Sequence, residues 1–112
     1  MEMDKESTYV YKKKDGTNVL INLKKRIVTY KSSSVKFTPN EWKILKVLGK
    51  ASPEAVKRND LMHLIWGIED SYPTRIVDVH ISNIRSKLEY IRLARVLSVY
   101  GVGYKLVLSN RY

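Results

Sequence analysis

Apolar positions in residues 73–91, PTRIVDVHISNIRSKLEYI, keep one helical rhythm: Val77, Ile81, Ile84, Leu88 and Ile91 follow at steps of 4, 3, 4 and 3. That spacing predicts an amphipathic helix with a continuous buried stripe. On its other side Arg75, Val79, Ser82, Asn83, Ser86 and Lys87 come up together, with no acid among them. Solvated helix faces ordinarily mix charges at i,i+4. Small, hydrogen-bonding and basic side chains instead suit close approach to something flat, polar and negative. Base-pair edges in a DNA major groove answer that description. For this segment alone, a core helix with a plain outer face stays open as the alternative.

The remaining elements follow from the same kind of pattern. Tyr9–Lys12, Val19–Leu23, Arg26–Tyr30 and Val35–Phe37 are short runs rich in β-branched and aromatic residues, with Asp15-Gly16 as a turn between the first two. They predict an antiparallel meander of three or four strands. Thr38, Pro39 and Glu41 form a capping box with proline at the first helical position, and Phe37 and Trp42 are placed as its hydrophobic staple. The helix they open should bury Trp42, Leu45 and Leu48, keep Ile44 at the edge and stop at Gly49. Residues 51–57 read as a connection. A second helix over about Arg58–Trp66, with Leu61, Leu64 and Ile65 inward, should end at Gly67; Ile68–Tyr72, carrying Glu69 and Asp70, reads as a loop. Val96–Tyr100 and Tyr104–Leu108 alternate around Gly101-Val102-Gly103 as a β-hairpin.

Strands, three helices and a flanking hairpin amount to an α+β winged helix-turn-helix. The expected domain covers residues 9–110, with a sheet over about 9–37, a helical core over about 38–91 and the wing over about 96–108. Residues 1–8 read as a flexible terminus or linker remnant.

Composition narrows the class. A chain of 112 residues is long enough for one core. The absence of cysteine excludes disulfides, thiol nucleophiles and thiolate zinc sites. No apolar run nears the roughly 20 residues that cross a bilayer, and no basic-then-apolar leader opens the chain, so a cytoplasmic protein with no membrane partner is expected. Twenty-one Lys and Arg against eleven Asp and Glu leave +10, with an isoelectric point near 9.8. Such an excess favours polyanions. Lys12–Lys14 and Lys24–Arg26 fall in predicted turns, where simple solvation is the expected state and phosphate contact the alternative. No dinucleotide or phosphate loop and no nucleophile elbow is present. Asp78 and His80, two residues apart, do not share a face, and His63 and His80 have no further ligands around them. No enzyme activity, cofactor or metal is expected.

The runs FTPNEWKIL (37–45), RNDL (58–61), IWG (65–67), RIVDVHISNIRSKL (75–88) and GVGYKL (101–106) carry a resemblance. In their order and spacing, over about residues 9–108, the chain resembles the OmpR/PhoB-type winged-helix DNA-binding domains, output modules of many bacterial two-component response regulators. The resemblance implies a third helix lying in the major groove and a hairpin reaching the neighbouring minor groove. It places Arg75, Val79, His80, Ser82 and Asn83 where such domains meet bases or backbone, and Arg58, Trp66 and Tyr104 where they touch phosphates. Arg85 falls at a basic position late in the helix and Ser98 at a polar wing position. The chain departs from the family in two places. Ser82 and Asn83 stand where basic residues are common, and Tyr100 stands where an arginine often precedes the first wing glycine and enters the minor groove. A tyrosine brings no charge to a narrow A·T groove.

Residue chemistry refines these roles. Asn83 is best suited to read a base, because a carboxamide pairs with N6 and N7 of adenine together, worth about 1–3 kcal/mol; an exposed asparagine with no partner is the alternative. Val79 suits a thymine methyl or partial burial, and Ser82 completes the base-facing set. Arg75 suits a phosphate at the positive helix end, and Lys87 the backbone or solvent. Asp78 should be structural, holding a cation such as Arg85 two turns on. The expected function is sequence-specific binding of double-stranded DNA in transcription regulation, as a tandem dimer on repeated half-sites. By resemblance a phosphorylatable receiver domain precedes such a module, which favours an excised fragment over a stand-alone regulator. The rival readings are a protein-interaction module, for example one docking RNA polymerase, and nonspecific nucleic-acid binding.

Overall fold

The computed structural model describes residues 8–67 and 75–108. Residues 1–7 of the expected terminus, the loop Ile68–Tyr72, the helix start at Pro73 and the domain's last two residues lie outside that range, while Thr8, expected in the terminus, opens the first strand.

Four short strands, β1 (Thr8–Lys12), β2 (Asn18–Asn22), β3 (Ile27–Tyr30) and β4 (Ser33–Lys36), form an antiparallel sheet in chain order. Its turns follow local chemistry. Asp15 accepts from the Thr17 amide at 2.9 Å, and Gly16 takes φ +89°. Between β3 and β4, Lys31 and Ser32 adopt φ +47° and +70°, the two-residue geometry that matches strand twist and that asparagine and glycine prefer. Lys13, expected to be a solvated turn lysine, is buried at 3 % exposure and donates to the Tyr30 hydroxyl at 3.1 Å.

Helix α1 (Pro39–Ala51) opens on the predicted box: the Thr38 hydroxyl accepts from the Glu41 amide at 3.2 Å, and Glu41 accepts from the Thr38 amide at 2.9 Å. The Phe37 and Trp42 rings pack with centroids 5.8 Å apart. The expected end at Gly49 is corrected. The helix runs on to Ala51 and stops at Ser52, held extended at ψ 136° before Pro53, as steric conflict with the proline ring requires. Ile44, not Leu45, is fully buried, because α1 packs against α2, α3 and the hairpin together and more than one stripe is covered.

The expected connection at 51–57 hides β5 (Val56–Lys57), which pairs with the hairpin and makes it three-stranded, in the order β5-β7-β6. Helix α2 (Arg58–Trp66) buries Leu61 and Met62, whereas Leu64, expected inward, is 62 % exposed. At about 100° per residue, residues 61, 62 and 65 share the inward arc and 64 falls outside it. Gly67 closes α2 at φ +66°, its amide donating to the His63 carbonyl at 2.9 Å.

Helix α3 (Arg75–Ile91) buries the whole predicted stripe: Val77, Ile81, Ile84, Leu88 and Ile91. Each such side chain stabilises the fold by roughly 1.5–3 kcal/mol. These residues meet Phe37, Leu48, Leu61 and Val96 in one core that fixes the outward face of α3. The hairpin β6 (Ala94–Val99) and β7 (Gly103–Leu108) then flanks α3 as the wing of a winged helix.

Candidate nucleic-acid interface

With its stripe buried, α3 turns Arg75, Val79, Ser82, Asn83 and Ser86 outward. Val79 is 55 % exposed, which resolves its two expected placements in favour of the surface. The Ser86 hydroxyl is bonded back to the Ser82 carbonyl at 3.2 Å. Among the described residues, no side-chain partner holds Asn83, Ser82 or Arg75. Lys87, grouped with this face by its spacing, turns instead to Glu41 at 2.5 Å and lies over the Phe37 ring at 5.5 Å. Burial pushes the Glu41 carboxyl upward, but hydrogen bonds from Lys87 and the Thr38 amide outweigh it and hold the group below its ordinary value.

Asp78 is structural, but its partner differs from the one expected. Arg85 lies seven residues on, about 10 Å along the axis, beyond a short carboxylate. Asp78 Oδ1 accepts from Arg58 Nε at 3.1 Å and Oδ2 from Arg58 Nη2, so the guanidinium is held as a fork. The Tyr104 hydroxyl gives Oδ1 its proton at 2.6 Å. Burial first, then the neighbouring Asp78, raises the Tyr104 phenol above its usual range and keeps it a donor. Arg85 donates to the Val96 carbonyl at 2.8 Å and to Ser98 Oγ at 2.9 Å, with its guanidinium 5.7 Å from the Tyr104 ring centre. Four residues assigned separately from the sequence, Arg58, Arg85, Ser98 and Tyr104, thus belong to one frame joining α2, α3 and the wing.

His80 bonds the Ile76 carbonyl through Nδ1 at 2.9 Å and meets Trp66 edge-on at 5.2 Å. The pair braces the end of α2 against α3. Tyr100 stands fully exposed at the tip of the wing turn, where Gly101 takes φ +74° and the Val102 amide donates to the Val99 carbonyl at 2.9 Å. Gly103 answers a different need: a Cβ there would lie 2.0 Å from the Val56 carbonyl oxygen.

Between β5, the start of α2 and the wing runs a cleft of about 600 Å³, lined by Lys57, Arg58, Asn59, Ser98, Tyr104 and the wing turn. Lys57 escaped the sequence reading because a two-residue strand has no periodicity to reveal it, and Asn59, in the first turn of α2, because the cleft forms only when β5 pairs with the wing. Helix α2 begins at this cleft with no side-chain cap, which leaves its first amides available to an anion. Among the described residues, no helix is long and apolar enough to cross a membrane.

The chain is similar to known proteins along most of its length. A family model described as "Transcriptional regulatory protein, C terminal" matches residues 32–106. PhoP of Bacillus subtilis, an alkaline phosphatase synthesis transcriptional regulatory protein, is 37% identical over 84 residues, which are 69% of this chain and 33% of PhoP. The DNA-binding response regulator MtrA of Mycobacterium tuberculosis is 32% identical over 90 residues, 79% of this chain and 40% of MtrA. The chain therefore spans about a third to two fifths of these relatives. In crystal structures, the AdeR response-regulator DNA-binding domain, bound to an intercistronic region, superposes with a TM-score of 0.65 at 26% identity, covering 81% of this chain and 95% of that one. The chain belongs to the transcriptional regulatory protein C-terminal family, the OmpR/PhoB-type winged-helix effector domains.

Proposed function

We propose that this domain binds double-stranded DNA with sequence preference and regulates transcription, as the effector part of a bacterial two-component response regulator working in the cytoplasm. The observation that carries the reading is the exposed first half of the outward face of α3, Arg75, Val79, Ser82 and Asn83, beside which the acid Asp78 is occupied by Arg58, while the exposed Glu89 follows only two turns on from Ser82. Asn83, Val79 and Ser82 would meet base edges. Arg75 and Arg58, with the uncapped start of α2, would meet phosphates and fix the register. His80 and Trp66 would hold the edge of that surface, and Tyr100 would meet the minor-groove wall.

One such module buries roughly 600–1,000 Å², which makes it weak alone, so binding as a tandem pair on repeated half-sites follows. Selection of bound duplexes from a random pool, followed by salt titration, tests the proposal. A defined site should emerge, with log affinity falling by about 0.9 per contacted phosphate for each log unit of salt. Asn83→Ala should relax preference at one base pair by about 1–3 kcal/mol, and Arg75→Ala should weaken all sequences alike. Affinity indifferent to sequence would leave a nonspecific binder; none even at low salt would leave a protein-docking module.

A further inference from the structure

A carboxylate beside a polyanion-binding surface opposes binding unless it does something else. Asp78 stands one residue before the outward-facing Val79, yet both its oxygens are covered: Oδ1 by Arg58 Nε and the Tyr104 hydroxyl, Oδ2 by Arg58 Nη2. Arg58, Tyr104 and Ser98 line the cleft between α2 and the wing, and Asp78 is not part of that lining. The acid lies behind the cation. We infer that Asp78 is a positioning residue that aims the Arg58 fork into this cleft for a DNA phosphate, an assignment that rests on the DNA-binding reading above.

The geometry supplies the reason. A guanidinium is planar and carries five N–H donors in fixed directions. Two of them are used on Asp78, and the remaining three, two on Nη1 and one on Nη2, are then fixed in direction as well. The half-exposed side chain is ordered before any ligand arrives, so less freedom is lost on binding. Tyr104 has one proton and gives it to Asp78, so it completes the clamp on the carboxylate and does not itself donate to a phosphate. Arg85, reaching from α3 to Val96 and Ser98, holds the far wall of the cleft at a set distance from Arg58.

The test uses random-sequence duplex DNA, because a phosphate contact is indifferent to sequence. Asp78→Asn keeps the size of the side chain and removes its charge. A bystander carboxylate, once neutralised, would leave affinity unchanged or strengthen it. The inference expects the opposite sign: affinity lower by about tenfold, and a salt slope shallower by about 0.9, one contact, as in Arg58→Ala. Arg58→Lys retains the charge without the fork and should lose about as much, which keeps the test decisive if Asp78→Asn does not fold. Equal or tighter binding by Asp78→Asn, or full affinity with an unchanged slope in Arg58→Lys, overturns the inference alone. Failure of the unmutated domain to bind any duplex overturns the DNA-binding reading and this inference with it.

Discussion

Replacing Gly103 with alanine adds one methyl group at a point where only backbone stands in the way. The new Cβ would lie 2.0 Å from the Val56 oxygen, 2.9 Å from the Val56 carbonyl carbon and 3.0 Å from Lys57 Cα. No side chain can rotate to make room. Restoring ordinary carbon contact at about 3.5 Å requires β5 to move off β7 by more than an ångström, and only Val56–Tyr104 and Lys57–Gly103 pair the two strands. Overpacking of this kind costs about 1–3 kcal/mol, and each backbone hydrogen bond lost adds about 1 kcal/mol. The sum, about 2–4 kcal/mol, is a large part of a typical 5–15 kcal/mol stability and lowers Tm by roughly 10–20 °C. Gly101→Ala is the comparison. Its φ of +74° is strained for alanine, but no atom lies within 4 Å of the added carbon, so the cost is about 1 kcal/mol. Thermal denaturation followed by circular dichroism ranks the two. A Gly103→Ala protein that melts with the parent, or above Gly101→Ala, refutes the close approach of β5 to the wing.

Three further outcomes follow. Ser32→Gly relieves a residue held at φ +70° in the β3–β4 turn and should stabilise the domain by about 0.5–1 kcal/mol, read as a higher Tm. Glu41 is held below its ordinary value of 4.5, so its contribution is full above that pH and is lost as acidification passes through the lowered folded value. Glu41→Gln should therefore flatten stability against pH below about 4.5, and an unchanged acid limb in urea titrations would contradict the Lys87 pairing. Tyr100→Arg adds a cation at the exposed wing tip and should steepen the salt slope by about 0.9, with new A·T preference at the flank of the selected site.

Local rules made much of the fold readable. The α3 stripe, the Thr38–Glu41 box and the Asp15-Gly16 turn depend on neighbours within one helical turn or one hairpin, and the structure has each where spacing predicts it. What escaped depends on residues far apart in sequence. Spacing along α3 points Asp78 to Arg85, whereas its partners come from 20 and 26 residues away. Helical angle groups Lys87 with the outward face, but its long stem swings to an acid 46 residues away. Gly49 does not stop α1 because it is not among the glycines with positive φ; the chain leaves the helix only at Ser52, before Pro53. The outward set of α3 was legible because burying one face of a helix dictates the other. The cleft beside it was not, since β5 exists only by pairing with β7.

Those internal pairings bear on how strongly salt should weaken binding. A count of basic residues takes Arg58, Arg75, Arg85 and Lys87 as four phosphate contacts beside α3. Lys87, however, neutralises the buried Glu41, and Arg85 gives two of its five donors to Val96 and Ser98 while keeping its charge. Arg75 and the outer edges of Arg58 and Arg85 are left, with Lys57 and the first amides of α2 beside them. Two to four contacts at about 0.9 each give a log–log slope of roughly −2 to −4 for a single module. Lys87→Met should leave that slope unchanged while lowering Tm, because the variant leaves Glu41 unpaired in the core. A slope steeper than roughly −5 for one module, or one that falls by a full contact in Lys87→Met, would mean that the Glu41–Lys87 pair opens to meet the DNA.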